Sequence, residues 1–315
     1  MMCLSSALNF LAYFTLAYIL YKLFHGIYAI IYPYFIATPF DLHKLAGGAK
    51  WAIVTGSTDG IGKAYAMELG KKGFNLILIA RNSLKLKNVK EEMLKECKNI
   101  EIETIVYDFS NANLEDYKKE ILPAIEKKEI GILVNKARLA NDFPDNLHFI
   151  DLQRNADIAI VNTVPVNILT AAVLPQMKKR NSGIIIMFSS SAAYAPMPYL
   201  SIYSSTRVYI NHLSNILRNE YADTGIIIQT VSPLNVATNI SKYKETFFFT
   251  PSPKKYAKAA IKTIGIVSET MGCLEHQIQA ILLFGIPEFL FIFLQKKILK
   301  AQSEREKREL LNKSD

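Results

Sequence analysis

The stretch Trp51 to Gly73, WAIVTGSTDGIGKAYAMELGKKG, decides the fold. Trp51, Ala52, Ile53 and Val54 read as a buried parallel strand, Gly56, Gly60 and Gly62 as a tight turn, and Lys63 to Lys72 as a helix that Gly73 stops. The first N–H groups of such a helix lack intrahelical partners and carry partial positive charge, so a pyrophosphate sits there without a basic side chain. The spacing is T-G-x-x-x-G-x-G rather than G-x-G-x-x-G, and a glycine cluster alone is equally an ordinary loop. A second apolar strand, Asn75 to Ala80, follows and ends at Arg81, where an acidic residue would take the ribose hydroxyl of NAD. Arginine there matches the 2′-phosphate of NADP, because a guanidinium binds phosphate oxygens bidentately; a solvated arginine at a strand end is the competing reading.

Downstream the alternation continues. Ile100 to Tyr107 reads as a strand ending at Asp108, Asn113 to Lys128 as an amphipathic helix, and Gly131 to Asn135 as a short apolar strand. Ala156 to Lys179 follows as a long helix carrying Asn162, and Ile184 to Phe188 as a strand emptying into Ser189, Ser190 and Ser191. Tyr203 to Tyr221 is a further helix and Ile226 to Val231 a sixth strand ending at Pro233. This order predicts an α/β fold, a doubly wound parallel sheet of Rossmann type, with Gly56, Arg81, Asp108 and Asn135 at the ligand-binding carboxyl edge. Asn235 to Pro253 is loop-like, and Phe247, Phe248 and Phe249 would give it an apolar lid or simply pack onto the domain.

Upstream, Met1 to Tyr21 contains no charged side chain, and Leu4 to Leu20 is long enough to cross hydrocarbon. With no basic residue before it and no small-residue cleavage site after it, this run reads as an anchor rather than a signal peptide. Ile27 to Phe40 is also apolar, but Pro33 and Pro39 interrupt it, which favours an interfacial or looping path. Lys22, His25 and the basic domain follow the anchor, so the positive-inside tendency places that domain in the cytosol. Ile278 to Leu294 is apolar, interrupted by Pro287 and Glu288 and followed by Lys296, Lys297 and Lys300. It reads as membrane-dipping, as a wall of a lipophilic pocket, or as a core helix. The division is 1–46 anchor and interfacial segment, 47–275 Rossmann-type domain, and 276–315 apolar segment with a charged tail.

The 315 residues are 50% hydrophobic, which supports a full core, and 37 Lys+Arg against 28 Asp+Glu leave a charge of +9. No basic patch interleaved with aromatics indicates nucleic acid; a basic chain with apolar ends suits a membrane surface or phosphorylated ligands. Cys3, Cys97 and Cys273 form no disulfide framework, and no histidine has metal-ligand spacing, so no metal is assigned.

Tyr203 and Arg207 stand four apart on one helical face, and Ser190 precedes Tyr203 by thirteen residues at a strand end. A hydroxyl, a phenol and a fixed cation beside a nicotinamide would polarise a ketone and protonate its oxygen as hydride arrives. With these residues in place the chain resembles the short-chain dehydrogenase/reductase family over Ala49 to Thr238. The glycine motif stands as Thr55-Gly56-Ser57-Thr58-Asp59-Gly60-Ile61-Gly62, the adenine-side acid as Asp108, the helix asparagine as Asn162, and the serine and tyrosine as Ser190 and Tyr203. TGSTDGIGKAYA, GILVN, VLPQM, SIYSST, the Val236-Ala237-Thr238 turn and GCLEH are similar to the membrane-bound 17β-hydroxysteroid dehydrogenases of types 3 and 12, the latter also very-long-chain 3-oxoacyl-CoA reductases.

The resemblance implies NADPH, reduction of a keto group on a lipophilic substrate, and the endoplasmic reticulum membrane. It implies Ser190, Tyr203, Arg207 and Asn162 as catalytic, and Gly56, Ser57, Gly60, Ile61, Gly62, Arg81, Asp108, Asn135 and Arg207 as cofactor-binding. Two features depart from the family: lysine stands there where this chain has Arg207, and its Asn-Asn-x-Gly is here Asn135-Lys136-Ala137-Arg138. A catalytically impaired relative that binds nucleotide or lipid is therefore the second expectation. Steroid against acyl-CoA, and pairing with a second copy as a homodimer, are left open.

Overall fold

The apolar runs do become strands. A computed structural model describes residues 2–238, 244–246 and 248–314. Seven strands, β1 (Trp51–Thr55), β2 (Asn75–Ala80), β3 (Ile102–Val106), β4 (Ile130–Asn135), β5 (Gly183–Phe188), β6 (Ile226–Val231) and β7 (Glu269–Thr270), form one sheet in the order β3-β2-β1-β4-β5-β6-β7. Every pairing is parallel, so each connection needs a crossover, and helices occupy the crossovers. On one side lie α3 (Gly60–Lys71), α4 (Ser83–Glu96) and α9 (Pro253–Lys262); on the other, α5 (Leu114–Glu120), α6 (Leu122–Glu126), α7 (Leu152–Arg180) and α8 (Ser201–Glu220). A long N-terminal helix, α1 (Met2–Ile31), and a one-turn helix, α2 (Leu42–Leu45), precede β1 in the chain.

Alternation along each strand divides the core. Ala52 and Val54 of β1, Leu76 and Leu78 of β2, and Ile184, Ile186 and Phe188 of β5 pack on the α3/α9 side. Ile53, Ile77, Ile79, Ile185 and Met187 pack on the α7/α8 side. Both faces are covered, which is why these strands read as continuous apolar runs. The strand order reverses between β1 and β4, and the crevice at their carboxyl ends is where such sheets take ligands.

Several boundaries differ from expectation. The helix expected over Asn113–Lys128 is two pieces, α5 and α6, because Pro123 cannot donate to the carbonyl a turn earlier. The glycine-turn helix begins at Gly60, inside the turn, with the Asp59 side chain accepting from Gly60 N–H at 2.7 Å. α7 starts at Leu152, four residues early, and runs through Pro165 and Pro175 because packing on the sheet outweighs the lost hydrogen bonds. β7, two residues long, has no periodicity that a sequence reading could detect. Pro287 divides the Ile278–Leu294 run into α10 (Leu274–Phe284) and α11 (Glu288–Ser314), bent by 112°.

Contacts divide the chain into two units, Met1–Thr38 and Pro39–Asp315. The first holds α1 (Met2–Ile31), continued by a π-helical turn, Tyr32–Ile36. Here the expected break at Pro33 does not occur; the backbone stays helical through Ile31 and widens into the π-turn, closed by Ala37 N–H donating to the Tyr32 carbonyl at 2.8 Å. Ser6–Ile36 has mean hydropathy 1.5 with none of its most apolar window buried, so this helix is a candidate membrane anchor. Leu152–Arg180 is as apolar, but half of its window is buried and it forms the core as α7.

Candidate active site

The β1–α3 turn is shaped by two glycines. Gly56 holds φ at +63° with its missing Cβ 3.1 Å from the Ala137 Cα, and a Cβ on Gly62 would stand 2.2 Å from the Gly56 carbonyl oxygen. The turn from β1 and the end of β4 are therefore pressed together, and Thr55 fastens them. Its hydroxyl donates to the Val134 carbonyl at 3.2 Å and accepts from the N–H groups of Lys136 and Ala137, both at 2.8 Å. Ser57, wholly buried beside this turn, has a hydroxyl with no hydrogen-bond partner.

Arg81 is exposed at the end of β2, and Asp108 is exposed after β3, accepting from Ser110 N–H and Oγ, both at 3.0 Å. Asn135, at the end of β4, donates to Thr170 Oγ1 at 3.0 Å while its Oδ1 has no partner. The Asn162 side chain accepts from Leu139 N–H at 2.8 Å and donates to the Leu139 carbonyl at 2.9 Å and Thr206 Oγ1 at 3.0 Å. It thus clamps α7 to the segment just after Arg138, and only a carbonyl lone pair remains for a water.

β5 and α8 supply the reactive groups. The Ser190 hydroxyl accepts from Ala192 N–H at 3.2 Å and lies within hydrogen-bonding reach of the Tyr203 phenol. One turn along α8, the Arg207 guanidinium lies over the Tyr203 ring at 5.2 Å and donates through Nη1 to the Phe188 carbonyl at 3.2 Å. Arg207 is 2% exposed, and its Nε and Nη2 have no partner. Arg138, in the position of the expected motif glycine, also reaches the Tyr203 phenol.

Lys136 is the functional candidate that sequence reading passed over, although a lysine at the end of an all-apolar strand is a visible signal. It is 8% exposed and 5.3 Å from the Phe188 ring, and its stem lies against the position a Gly62 Cβ would take. Among the described residues, none of Lys136, Arg138 and Arg207 has an ion pair.

This clustering governs the titrations. Burial raises the Tyr203 phenol, but the Arg138 and Arg207 charges and hydrogen bonds from Ser190 and Arg138 outweigh it, leaving the phenol below the ordinary tyrosine value. Burial, then the two arginines, hold Lys136 well below an ordinary lysine. Burial brings Arg207 down to about 10, so it stays charged at neutral pH.

Buried cations without counter-ions are costly, and orphaned donors on Ser57 and Arg207 add to that cost. A ligand carrying phosphate and ribose oxygens beside the glycine turn answers both, so the residues present fit a dinucleotide at its phosphate and ribose end. At the other end the Arg138 charge acts on the phenol.

The expected lid is only partly described. Phe247 lies outside the described residues, while Phe248 and Phe249 sit in a tight turn closed by the Thr246–Thr250 pairing, with Phe249 exposed.

Residues 50–247 match the family model of the short chain dehydrogenases. A Caenorhabditis briggsae protein named very-long-chain 3-oxoacyl-CoA reductase let-767 is 42% identical over 305 residues, covering 96% of this chain and 95% of its own. The human very-long-chain 3-oxoacyl-CoA reductase is 38% identical over 251 residues, 78% of each chain. Among solved structures, a Sphingobium yanoikuyae short-chain dehydrogenase in complex with NADPH superimposes with a TM-score of 0.58 at 26% identity, covering 67% of this chain and 82% of its own. By family match, by near full-length similarity and by its seven-stranded sheet, this chain belongs to the short-chain dehydrogenase/reductase family.

Proposed function

We propose that the protein is a membrane-anchored, NADPH-dependent reductase of a keto group on a lipophilic substrate, a 17-ketosteroid or a 3-oxoacyl-CoA. The observation that carries this reading is the placement of Ser190, Tyr203 and Arg207 at the carboxyl edge of the sheet, near a glycine turn, with the buried Ser57 hydroxyl and Arg207 Nε and Nη2 lacking partners among the described residues. Gly56, Ser57, Gly60, Ile61, Gly62, Asn135 and Lys136 hold the phosphate and ribose end, Asp108 the adenine side, and Arg81 the 2′-phosphate. A nicotinamide held there would supply hydride to the carbonyl carbon.

The chain's residues do the rest. The Ser190 hydroxyl hydrogen-bonds the carbonyl oxygen, and Tyr203 gives that oxygen its phenolic proton, so the ketone becomes an alcohol and the tyrosine a tyrosinate. Arg207, protonated at neutral pH, steadies the tyrosinate by charge. The family's lysine can pass a proton on; a guanidinium does not, so the proton for the next turnover comes from water.

On this reading residues 1–46 anchor the chain in the endoplasmic reticulum membrane, 47–275 do the chemistry facing the cytosol, and 276–315 adjoin the lipid. The relatives named above as reductases of very-long-chain 3-oxoacyl-CoA favour the acyl substrate. The second reading, a relative with impaired catalysis that binds nucleotide or lipid, is favoured by one observation, the Arg138 guanidinium on the phenol.

A titration of the native protein in detergent, following quenching by NADPH, tests the cofactor site with no substrate chosen. Turnover with a 3-oxoacyl-CoA or a steroid ketone then tests the chemistry. Tyr203→Phe lowers the rate by about 10²–10⁴ while binding NADPH as the native chain does; unchanged turnover rejects Tyr203 as the acid, and absent turnover in the native chain with saturable NADPH binding selects the second reading.

A further inference from the structure

The corner between α10 and α11 has one face committed to the fold and one face uncovered. Inside, Phe291 is 5% exposed and meets the Phe284 ring at 5.5 Å, Phe284 meets Tyr194 at 5.4 Å, and the Tyr194 hydroxyl donates to Ser232 Oγ at 3.3 Å, just past β6. Farther along α11, Lys307 pairs with the buried Asp145 carboxylate at 2.6 Å, and Asp145 N–H bonds the Tyr199 carbonyl just before α8. The corner is thus fixed to the segments that lead into Ser190 and Tyr203.

Its outer face carries Leu282, Phe289, Leu290, Phe293, Leu294 and Ile298, between 38% and 75% exposed. On α11 these recur at three- and four-residue spacing, one continuous stripe beside the bend at Gly285-Ile286-Pro287. An apolar stripe of this extent on a domain surface marks an interaction site. Lys296, Lys297 and Lys300 follow it, and the Lys297 ammonium lies 4.5 Å from the Phe293 ring centre, the posture of a lysine whose stem lies on apolar surface while its charge reaches outward. Aromatics at the bend backed by lysines one to three turns later complement a bilayer with anionic headgroups, rather than a polar protein surface. The same polypeptide carries the candidate span Ser6–Ile36, so a bilayer is its working surroundings.

From this geometry we propose that the α10–α11 corner is a second membrane contact, seated in the headgroup and upper acyl region with Phe289 and Phe293 leading and the lysines at the phosphates. It would hold the Ser190/Tyr203 end of the domain against the lipid, so that a lipophilic ketone reaches it without crossing water. This last consequence alone rests on the proposed reductase activity.

The chain contains a single tryptophan, Trp51 in β1, which makes an added indole a clean reporter. Full-length Phe289→Trp and Phe293→Trp proteins, reconstituted into phosphatidylcholine/phosphatidylserine vesicles, are compared with Leu84→Trp, on exposed α4, and with the native chain. Lipids brominated on the upper acyl carbons should quench the indoles at 289 and 293 at least twofold and leave that at 84 untouched, while aqueous acrylamide does the reverse. Acrylamide quenching at 289 and 293 equal to that at 84 overturns the proposal. So does protection from both quenchers that varies with protein-to-lipid ratio, which would mean a second copy of this chain covers the face.

Replacing Lys296, Lys297 and Lys300 together by glutamine should reduce the bromolipid quenching at 289 only in vesicles containing phosphatidylserine; no change there removes the electrostatic part. In vesicles, Phe289→Glu should raise KM for a bilayer-dissolved ketone at least tenfold with kcat and NADPH affinity unchanged. An unchanged KM removes the delivery role and leaves the quenching result standing.

Discussion

One guanidinium separates the two functional readings. Arg138 occupies a position where the family carries glycine, and it lends the Tyr203 phenol both charge and a hydrogen bond. The charge favours tyrosinate; the hydrogen bond competes with an incoming carbonyl. Arg138→Gly should therefore raise kcat for ketone reduction about tenfold, a part of what a well-placed general acid contributes. The sign of its pH effect also follows. A phenol below pH 10 loses its proton, and its use as an acid, as pH rises through that lowered value. Removing Arg138 takes away one cation and one hydrogen bond, so the phenol's pKa rises and the alkaline limb of kcat against pH moves upward. A limb that stays in place would mean another group governs it.

Among the elements, α10 is held to the exit of β6 by one ring. His276 is wholly buried; its Nδ1 accepts from Leu234 N–H at 3.3 Å and its Nε2–H donates to the Asn235 carbonyl at 3.1 Å, which fixes the neutral tautomer with the proton on Nε2. Burial outweighs its backbone hydrogen bonds and pushes its pKa from 6.5 down to about 4. The folded value lies below the unfolded one, so the neutral ring stabilises fully above pH 6.5, and that stabilisation is lost as pH falls from 6.5 through 4. A shift of this size is worth on the order of 3 kcal/mol. Urea unfolding in detergent at pH 7 and pH 4.5 should show a stability loss in the native chain that exceeds the loss in His276→Gln by that order. Equal losses in the two proteins would show that the ring titrates normally.

Across the whole molecule, a formal charge of +9 includes the buried Lys136 and Arg207 and the half-buried Arg138, none of which pairs with a carboxylate among the described residues. An anionic dinucleotide binding there should stabilise the fold by about 2.7 kcal/mol at a hundredfold excess over Kd, a melting shift of several degrees. NADPH should raise Tm more than NADH does. Lys136→Asn should shrink the shift for both cofactors, because the pyrophosphate is common to both, whereas Arg81→Ala should shrink it for NADPH alone. Thermal melts of the three proteins with each cofactor in detergent check this. Equal shifts for NADPH and NADH in the native chain would remove the 2′-phosphate role from Arg81.

The amino-acid order determined six of the seven strands, the glycine turn, the candidate anchor and the candidacy of Ser190 and Tyr203, because buried parallel strands are continuous apolar runs and a tight turn admits only glycine at Gly56 and Gly62. It did not mark Lys136 as a site residue and said nothing of what holds the Asn162 side chain, since pattern and spacing record neither burial nor partners. Tertiary structure alone decided that Asn162 spends its amide on Leu139 and Thr206, that Pro165 and Pro175 sit inside α7, and that Lys136, Arg138 and Arg207 share one buried region with Tyr203. The reason is physical: charges some seventy residues apart in the chain acquire each other's field only when the fold brings the segment after β4 near the start of α8, and there the low dielectric strengthens that field on the phenol.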